Sequence, residues 1–404
     1  MKLQKLSPKQ RDFLLHSDAR INIACGAVRS GKTLVSILRW LYIVATCPEG
    51  SGLLMCAKTE RTLRRNILDL IAEIVGPDDF DLRSGVGECY IFGKKIYLVG
   101  ANDERSENKI RGITLYAAYL DEVSLYPESF FQMLLSRLSV QGAILIATTN
   151  PDSPYHYIKT KFIDREKDLN LKYWHFILDD NLTLSEDFKA DIKREYVLGT
   201  VWHKRMVLGQ WAAAEGAVFP FLTDDPKDGY VLSDLPNDLT TWLVAADYGQ
   251  QHWTVFILAG YSPSLNRWIV VKEWFTKDKT NAVYSEEFNR EILQFNGGVP
   301  IQEVNVDPGG GGLSLVRQFE SDFPNISVAS AHKKDVDKEL QELATALFTK
   351  KIGIYAGCQH GLEQLLNYTW DDKAKSRGKD EPLKVNDDFP DALRYLWQMC
   401  LRYS

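Results

Sequence analysis

Gly26-Ala-Val-Arg29-Ser30-Gly31-Lys32-Thr33 follows a short apolar run at residues 21–25 and precedes a helical pattern at residues 32–45. It fits G-x-x-x-x-G-K-[ST] in the strand-then-helix setting that this pattern requires. The glycines Gly26 and Gly31, with Ser30 and Arg29 between them, let consecutive backbone N–H groups curl round a phosphate chain. The helix that starts at Lys32 points its positive dipole end at the same place. Lys32 can bridge terminal phosphates, and the Thr33 hydroxyl can ligate a Mg²⁺ that accompanies them. A strand, a phosphate loop and a helix in succession predict an α/β domain built on a largely parallel sheet.

A second strand must then bring a carboxylate to the same sheet edge. Leu115-Tyr-Ala-Ala-Tyr-Leu-Asp121-Glu122 does so. Asp121 is expected to hold the Mg²⁺ through water, and Glu122 to orient or deprotonate the attacking water. Further buried strands are expected at 52–57, 95–100, 116–121 and 143–148, with a helix at 60–74 and an inserted hairpin around Tyr90–Phe92 and Gly93. Three weaker signals fit a nucleotide site. Gln10, in Ser7-Pro-Lys-Gln10, has an amide suited to an adenine edge. Asn150, at the end of Ala147-Thr148-Thr149-Asn150, stands where a γ-phosphate can be sensed. Arg29 and Arg111 are candidates for stabilising transferred charge, and either can equally face solvent or DNA.

The chain has 404 residues, 45% hydrophobic and 25% charged, which is ordinary globular composition and suggests two or three domains. The longest apolar run, at residues 34–46, is interrupted by Arg39 and is too short to span a bilayer. No signal peptide is evident, so a cytoplasmic setting is expected. The cysteines Cys25, Cys47, Cys56, Cys89, Cys358 and Cys400 lack zinc-type spacing and read as reduced core thiols. A net charge of −6 argues against a broadly basic nucleic-acid coat but leaves room for a local basic groove.

Residues 151–211 read as mixed, with a helix at 184–198 capped by Ser185. Residues 212–229, rich in Ala, Gly, Pro and Asp, read as a linker. A second α/β unit follows, with strands expected at 241–247, 254–261, 268–274, 301–307 and 326–329 and helices at 285–295, 338–348 and 389–402. The expected division is an ATP-binding domain over 1–211, including a small subdomain near 152–211, and a separate domain over 230–404.

The second unit carries its own acids. Asp247 ends an apolar strand before Gly249. Asp307 ends another before Pro308-Gly309. Asn386-Asp387-Asp388-Phe-Pro-Asp391 opens the last helix, where Asp388 can act as a cap. Three carboxylates from two strand ends and a helix could share two Mg²⁺ or Mn²⁺ ions, since hard cations take oxygen ligands. Two such ions can activate water and stabilise the leaving oxygen of a phosphodiester. Each acid taken alone can equally be a turn or capping residue.

Taken in order, these residues resemble the large terminase subunit of tailed phages and prophages, of the kind found in defective Bacillus prophages. The resemblance covers nearly the whole chain. It runs through 26–33, Gly100-Ala-Asn-Asp-Glu104, Lys109-Ile-Arg-Gly112, Leu120-Asp-Glu122, Thr149-Asn-Pro-Asp152, Asp179-Asp-Asn181, Gly209-Gln-Trp211, Glu215-Gly216 and Asp391-Ala-Leu-Arg394-Tyr395. It implies an additional-strand, catalytic-glutamate P-loop ATPase followed by an RNase H-like nuclease, with Asp247, Asp307 and Asp391 as metal ligands. It also implies ATP and Mg²⁺ in the motor, and double-stranded DNA driven into a procapsid. The implied partners are the portal protein, a small terminase subunit and further copies in a ring, all in the host cytoplasm. The family often has a histidine three positions before the final acid. Here that position is Asp388, a harder ligand, with Asp387 as a competing candidate.

Two other readings fit parts of the sequence. A P-loop helicase or repair ATPase would share Lys32, Asp121 and Glu122 without needing Asp247, Asp307 and Asp391. An assembly protein that uses ATP only as a switch would not need Glu122. Lys333, Lys334, Lys338, Arg377 and Lys379 flank the second set of acids in sequence and could supply contacts to DNA phosphates, or equally form a solvated charged face.

Overall fold

The computed structural model describes residues 5–249, 252–332 and 335–403. The chain divides into two compact units. One comprises residues 1–193 with 201–213, and the other residues 194–200 with 214–404.

In the first unit the strands are β1 (Ile21–Gly26), β2 (Leu53–Ala57), β3 (Phe80–Arg83), β4 (Glu88–Ile91), β5 (Lys94–Gly100), β6 (Ala117–Leu120), β7 (Ile144–Thr149) and β8 (Leu171–Phe176). They form one sheet in the order β3-β4-β5-β2-β6-β7-β1-β8. The run from β5 to β8 is parallel throughout. β4 and β3 add antiparallel at one edge, joined to β5 through Phe92 and Gly93, both with positive φ as a two-residue hairpin turn requires. β7 lies between β1 and β6, the position of the additional strand.

Both faces of this sheet are covered, which is why the central strands are apolar without alternation. Met55 and Tyr119 pack to one side with Trp40. Cys56 and Leu120 pack to the other with Phe130 and Phe131. The helix expected at 60–74 is present, but a π-turn over Arg64–Leu68 interrupts it, between Glu60–Leu63 and Asp69–Val75. Ser185 accepts a hydrogen bond from the Phe188 N–H at the start of the helix Glu186–Glu195, as a cap does.

The second unit contains β9 (Val231–Leu232), β10 (Trp242–Asp247), β11 (Thr254–Ser262), β12 (Arg267–Thr276), β13 (Ile301–Val306), β14 (Ser327–Ser330) and β15 (Ile352–Tyr355). Their order is β14-β13-β10-β11-β12-β15-β9. β10, β11 and β12 form an antiparallel meander, β13 pairs parallel with β10, and β14 pairs parallel with β13. Phe256, Leu258, Phe288, Leu315 and Phe319 fill the core on one face. The helix Asp388–Tyr403, with Phe389, Leu393, Leu396 and Met399 fully buried, packs against β10 and β11.

Two sequence expectations change. Asp388 is the first residue of the last helix and not its cap. The Asp391 N–H donates to the Asp387 carbonyl, so the first helical hydrogen bond starts at Asp387. Residues 212–229 are not a free linker over their whole length. Ala214, Val218, Phe219 and Leu222 are buried, and the backbone of Gly216 and Val218 bonds to Trp370 and Tyr368. Val218, Phe219 and Leu222 anchor the stretch, and the surrounding Ala, Gly and Pro disguise them.

A piece spanning 230–404 therefore loses three buried anchors that a piece spanning 214–404 keeps. At about 1.5–3 kcal/mol each, their loss is comparable with a domain's whole stability. The shorter piece should be unfolded, or melt at least 10 °C lower (roughly 5 kcal/mol at the usual conversion). Circular dichroism melts of the two decide this, and equal melting temperatures would show that the segment is dispensable.

Among the described residues, no helix is long and apolar enough to cross a membrane. All six cysteines are buried and none forms a disulfide.

Candidate functional site

The phosphate loop leaves β1 through Gly26, whose φ is 156°. A Cβ there would stand 1.9 Å from the Phe176 carbonyl oxygen, so the position excludes every other residue. Ala27 N–H donates to that same carbonyl at 2.8 Å. Gly31 is left-handed at φ 83°, and a Cβ on it would meet the Gln10 side-chain nitrogen. Arg29 is exposed and also left-handed, at φ 55°. Its carbonyl accepts from Asn181 Nδ2 at 2.7 Å. Ser30 Oγ donates to the Ala27 carbonyl and closes the turn.

Lys32 is buried and gives its ammonium to the Ala27 carbonyl at 3.0 Å and to Asn150 Oδ1 at 2.6 Å. Asn150 in turn donates its backbone N–H and its Nδ2 to the Glu122 carboxylate, at 3.2 and 3.4 Å. The ends of β1, β7 and β6 are thereby joined through Lys32, Asn150 and Glu122. Glu122 has φ 56°. A left-handed non-glycine residue costs on the order of 1–3 kcal/mol and marks sites where a side chain must be aimed.

Asp121 is buried and accepts from Thr148 Oγ1 at 2.9 Å. Burial, and secondarily the neighbouring charge of Glu122, pushes its pKa up to about 6. Thr33, at the second position of the helix Lys32–Thr46, is half-buried.

Gln10 Oε1 accepts the Ser7 N–H at 2.9 Å in a capping box, which leaves the amide nitrogen facing Gly31. An adenine edge there would meet that donor, and the oxygen keeps a second lone pair. Exposed Arg111 pairs with half-buried Glu107 at 2.5 Å. Asn181 and Gly209 are the residues that sequence reasoning left without a role. A Cβ on Gly209 would stand 2.5 Å from the Phe176 carbonyl and 2.9 Å from the Ala27 nitrogen, so this glycine permits the close packing under the loop.

Asp121 yields a direct prediction. Its folded pKa lies above its ordinary value, so the ionised carboxylate costs stability above pH 6, and the cost vanishes as pH falls towards 4. Asp121→Asn keeps an acceptor for Thr148 and removes a penalty on the order of 2–3 kcal/mol at neutral pH. Without nucleotide or Mg²⁺, the variant should melt roughly 5–10 °C higher at pH 7.5, with the gain shrinking by pH 5. An unchanged melting temperature at pH 7.5 would refute the buried-charge account.

In the second unit β10 ends in Asp247 and β13 delivers Asp307. Burial raises the Asp247 pKa well above the usual carboxylate range, followed by the charges of Asp391, Asp307, Asp388 and Asp387. The expected acids are therefore electrostatic neighbours. Asp307 Oδ1 accepts the Gly309 N–H at 2.8 Å. Asp391 receives Lys384 Nζ on Oδ2 at 2.9 Å and Arg394 Nη2 on Oδ1 at 3.2 Å. Asp388 is turned towards Gln364, whose Nε2 lies 3.4 Å from Oδ2. Burial and Asp387 raise its pKa, and the exposed His252 is close enough to oppose that shift. A histidine outside the final motif thus stands near the position where the family often has one.

Among the described residues, no three acidic, histidine or cysteine side chains already stand at metal-holding geometry. The donor set is nevertheless all-oxygen, with Asp307, Asp388 and Asp391 buried and Asp247 half-buried, which suits a hard divalent cation. Of the lysines that could contact DNA, Lys338 pairs with Glu342 at 3.7 Å and Lys379 with Glu381 at 3.6 Å. Lys333 and Lys334 lie outside the described residues, and Arg377 is exposed.

The family model for the N-terminal part of the terminase large subunit, T4likevirus-type, matches residues 23–223. The large terminase of a thermophilic bacteriophage is 32% identical over 98% of this chain and 100% of its own, with a TM-score of 0.80. The same protein in complex with ADP gives 32% identity and a TM-score of 0.77, over 98% of this chain and 100% of its own. Its complex with ATP-γ-S gives 31% identity and 0.76, over 97% of this chain and 98% of its own. Among curated proteins no sequence matches. With nearly full-length likeness at this identity, and with the phosphate loop and the Asp121–Glu122 strand end in place, the chain belongs to the bacteriophage large terminase family.

Proposed function

We propose that the chain is an ATP-hydrolysing motor that drives double-stranded DNA into a procapsid, and that its second unit is an RNase H-like nuclease that cuts the DNA. The observation that carries the motor reading is the hydrogen-bonded chain Lys32–Asn150–Glu122 across three neighbouring strand ends. Lys32 is held where the terminal phosphates of a nucleotide bound in the loop would lie. Glu122 is placed by Asn150 to take a proton from water, and Asp121 is positioned to support Mg²⁺ through its water shell. Asn150 touches both and can report the γ-phosphate to Glu122. The ADP and ATP-γ-S complexes of the thermophilic phage's terminase support the same ligand here.

The nuclease reading rests on the order β12-β11-β10-β13-β14. An antiparallel meander with two parallel strands beside its first strand is the RNase H-like arrangement, and it sets Asp247 and Asp307 at adjacent strand ends. Asp247, Asp307 and Asp391 would hold two Mg²⁺ or Mn²⁺ ions, with Asp388 at the margin. The ions would supply an activated water and charge stabilisation for phosphodiester hydrolysis. The chain's own residues gather the carboxylates and keep them desolvated.

The partners proposed with this function are duplex DNA, the portal, a small terminase subunit and further copies in a ring, in the host cytoplasm. DNA binding should be local and should weaken steeply with salt.

The test is steady-state ATP turnover with and without duplex DNA, beside plasmid cleavage in Mg²⁺ or Mn²⁺, on the full chain. ATP turnover without plasmid cleavage would favour a P-loop helicase or repair ATPase. Nucleotide binding without turnover would favour an ATP switch.

A further inference from the structure

Asp391 carries a cation on each carboxylate oxygen, and the two cations differ in kind. Arg394 is buried, as is its second partner Glu339, which it meets through Nη1. Glu339 lies on the helix Val336–Phe348, so the guanidinium is fixed between two helices. A buried ion pair of this type is costly to break, because each partner would be left desolvated and unpaired. Lys384 stands on the other side. Its ammonium lies 2.8 Å from Asp387 Oδ2 and 2.9 Å from Asp391 Oδ2. Its side chain is 64% exposed, whereas those of Asp387 and Asp391 are 18% and 12% exposed. The two carboxylates hold the ammonium firmly enough to raise its pKa, but its exposed four-carbon stem lets the head group swing into water once another cation takes its place.

The acids thus repel one another across Asp247, and one oxygen of Asp391 is covered by the charge of an exposed side chain with room to leave, unlike the buried Arg394. We propose that Lys384 is a displaceable counter-ion of the acid cluster, yielding Asp391 Oδ2 to a divalent cation, and that Arg394 is the positioning residue that keeps Asp391 in place during the exchange. This rests on the metal-site reading of Asp247, Asp307 and Asp391. A dication outcompetes a single ammonium for a carboxylate that other acids surround, and Arg394 leaves that oxygen free to turn to it. The arrangement also accounts for acids that are gathered without standing at ligand distances.

The two cations predict opposite effects on metal uptake, which a merely structural role would not produce. Mn²⁺ binding to the full chain, measured by isothermal titration calorimetry, should be several-fold tighter in Lys384→Met, because the competitor is gone. It should be about tenfold weaker in Arg394→Met, which frees Asp391 to move. Arg394→Lys keeps the charge without the fork and should fall between Arg394→Met and wild type. A circular dichroism spectrum guards against misfolding. Lys384→Met that binds Mn²⁺ as wild type does, or more weakly, overturns the counter-ion role while leaving the metal site standing. Mn²⁺ binding by Asp247→Asn that equals that of the wild type overturns the metal-site reading, and this proposal with it.

Discussion

Glu122→Gln is expected to remove ATP turnover while nucleotide binding stays close to wild type. Glutamine retains an acceptor for one of the two Asn150 contacts, so the fold of the site is preserved. It cannot take a proton, and loss of a general base costs about 10²–10⁴-fold in rate. Lys32→Ala should act at the earlier step. The ammonium is the buried cation proposed to meet the terminal phosphates, and losing a charge-assisted contact of this kind would weaken binding on the order of 10–100-fold. It also releases Asn150 Oδ1, which loosens the hold on Glu122, so any residual turnover should fall further. The measurement is single-turnover hydrolysis beside binding of a fluorescent ATP analogue for both variants. Wild-type hydrolysis by Glu122→Gln would remove Glu122 from its role and assign the base to another group.

The motor unit was largely legible because its signals are local. An apolar strand, a glycine loop and a helix start are contiguous, and so is the strand that ends in Asp121. β8 escaped because Leu171-Lys-Tyr-Trp-His-Phe176 sits at the sheet edge and buries only Leu171, Trp174 and Phe176, without a regular alternation. It nevertheless supplies the Phe176 carbonyl that holds the start of the phosphate loop. β3 is an edge strand with no fully buried residue. β15, a short strand directly after two lysines, does not stand out from its surroundings. The helix Gly312–Asp322 was hidden behind the glycine run that precedes it.

In the second unit the strand-end acids could be read, but their environment could not. Glu339 lies 55 residues from Arg394 in sequence and meets it only through tertiary packing. Lys384 is a lone lysine in a polar stretch until the last helix turns Asp391 towards it. His252 carries no motif, and only the fold brings it near Asp388. Periodicity reports which face of an element is buried. It does not report which charges from distant elements share that burial.

Asp247→Asn should abolish plasmid cleavage and leave ATP turnover within about twofold, since Lys32, Asp121 and Glu122 belong to a separate sheet and a separate core. The substitution is isosteric, so lost cleavage reflects lost charge and not lost packing. Without divalent ions it should stabilise the protein. Burial and the surrounding acids raise the folded pKa of Asp247, so its ionised form is a cost at neutral pH that disappears in acid. With Mn²⁺ the order reverses, because the wild type gains stability from the ions it binds and the variant gains little. Asp307→Asn and Asp391→Asn should likewise lose cleavage. Asp388→Ala should be milder, because Asp388 is engaged by Gln364 at the margin of the cluster. Asp388→His would place an imidazole where the family often has one, and should keep cleavage with a shifted pH dependence. Plasmid cleavage across pH, run beside melting curves with and without Mn²⁺, reads all of these. Wild-type cleavage by Asp247→Asn, or a melting temperature of the wild type that Mn²⁺ does not raise, would sink the two-metal assignment. A cleavage defect accompanied by lost ATP turnover would instead mean that the two chemistries are not separable.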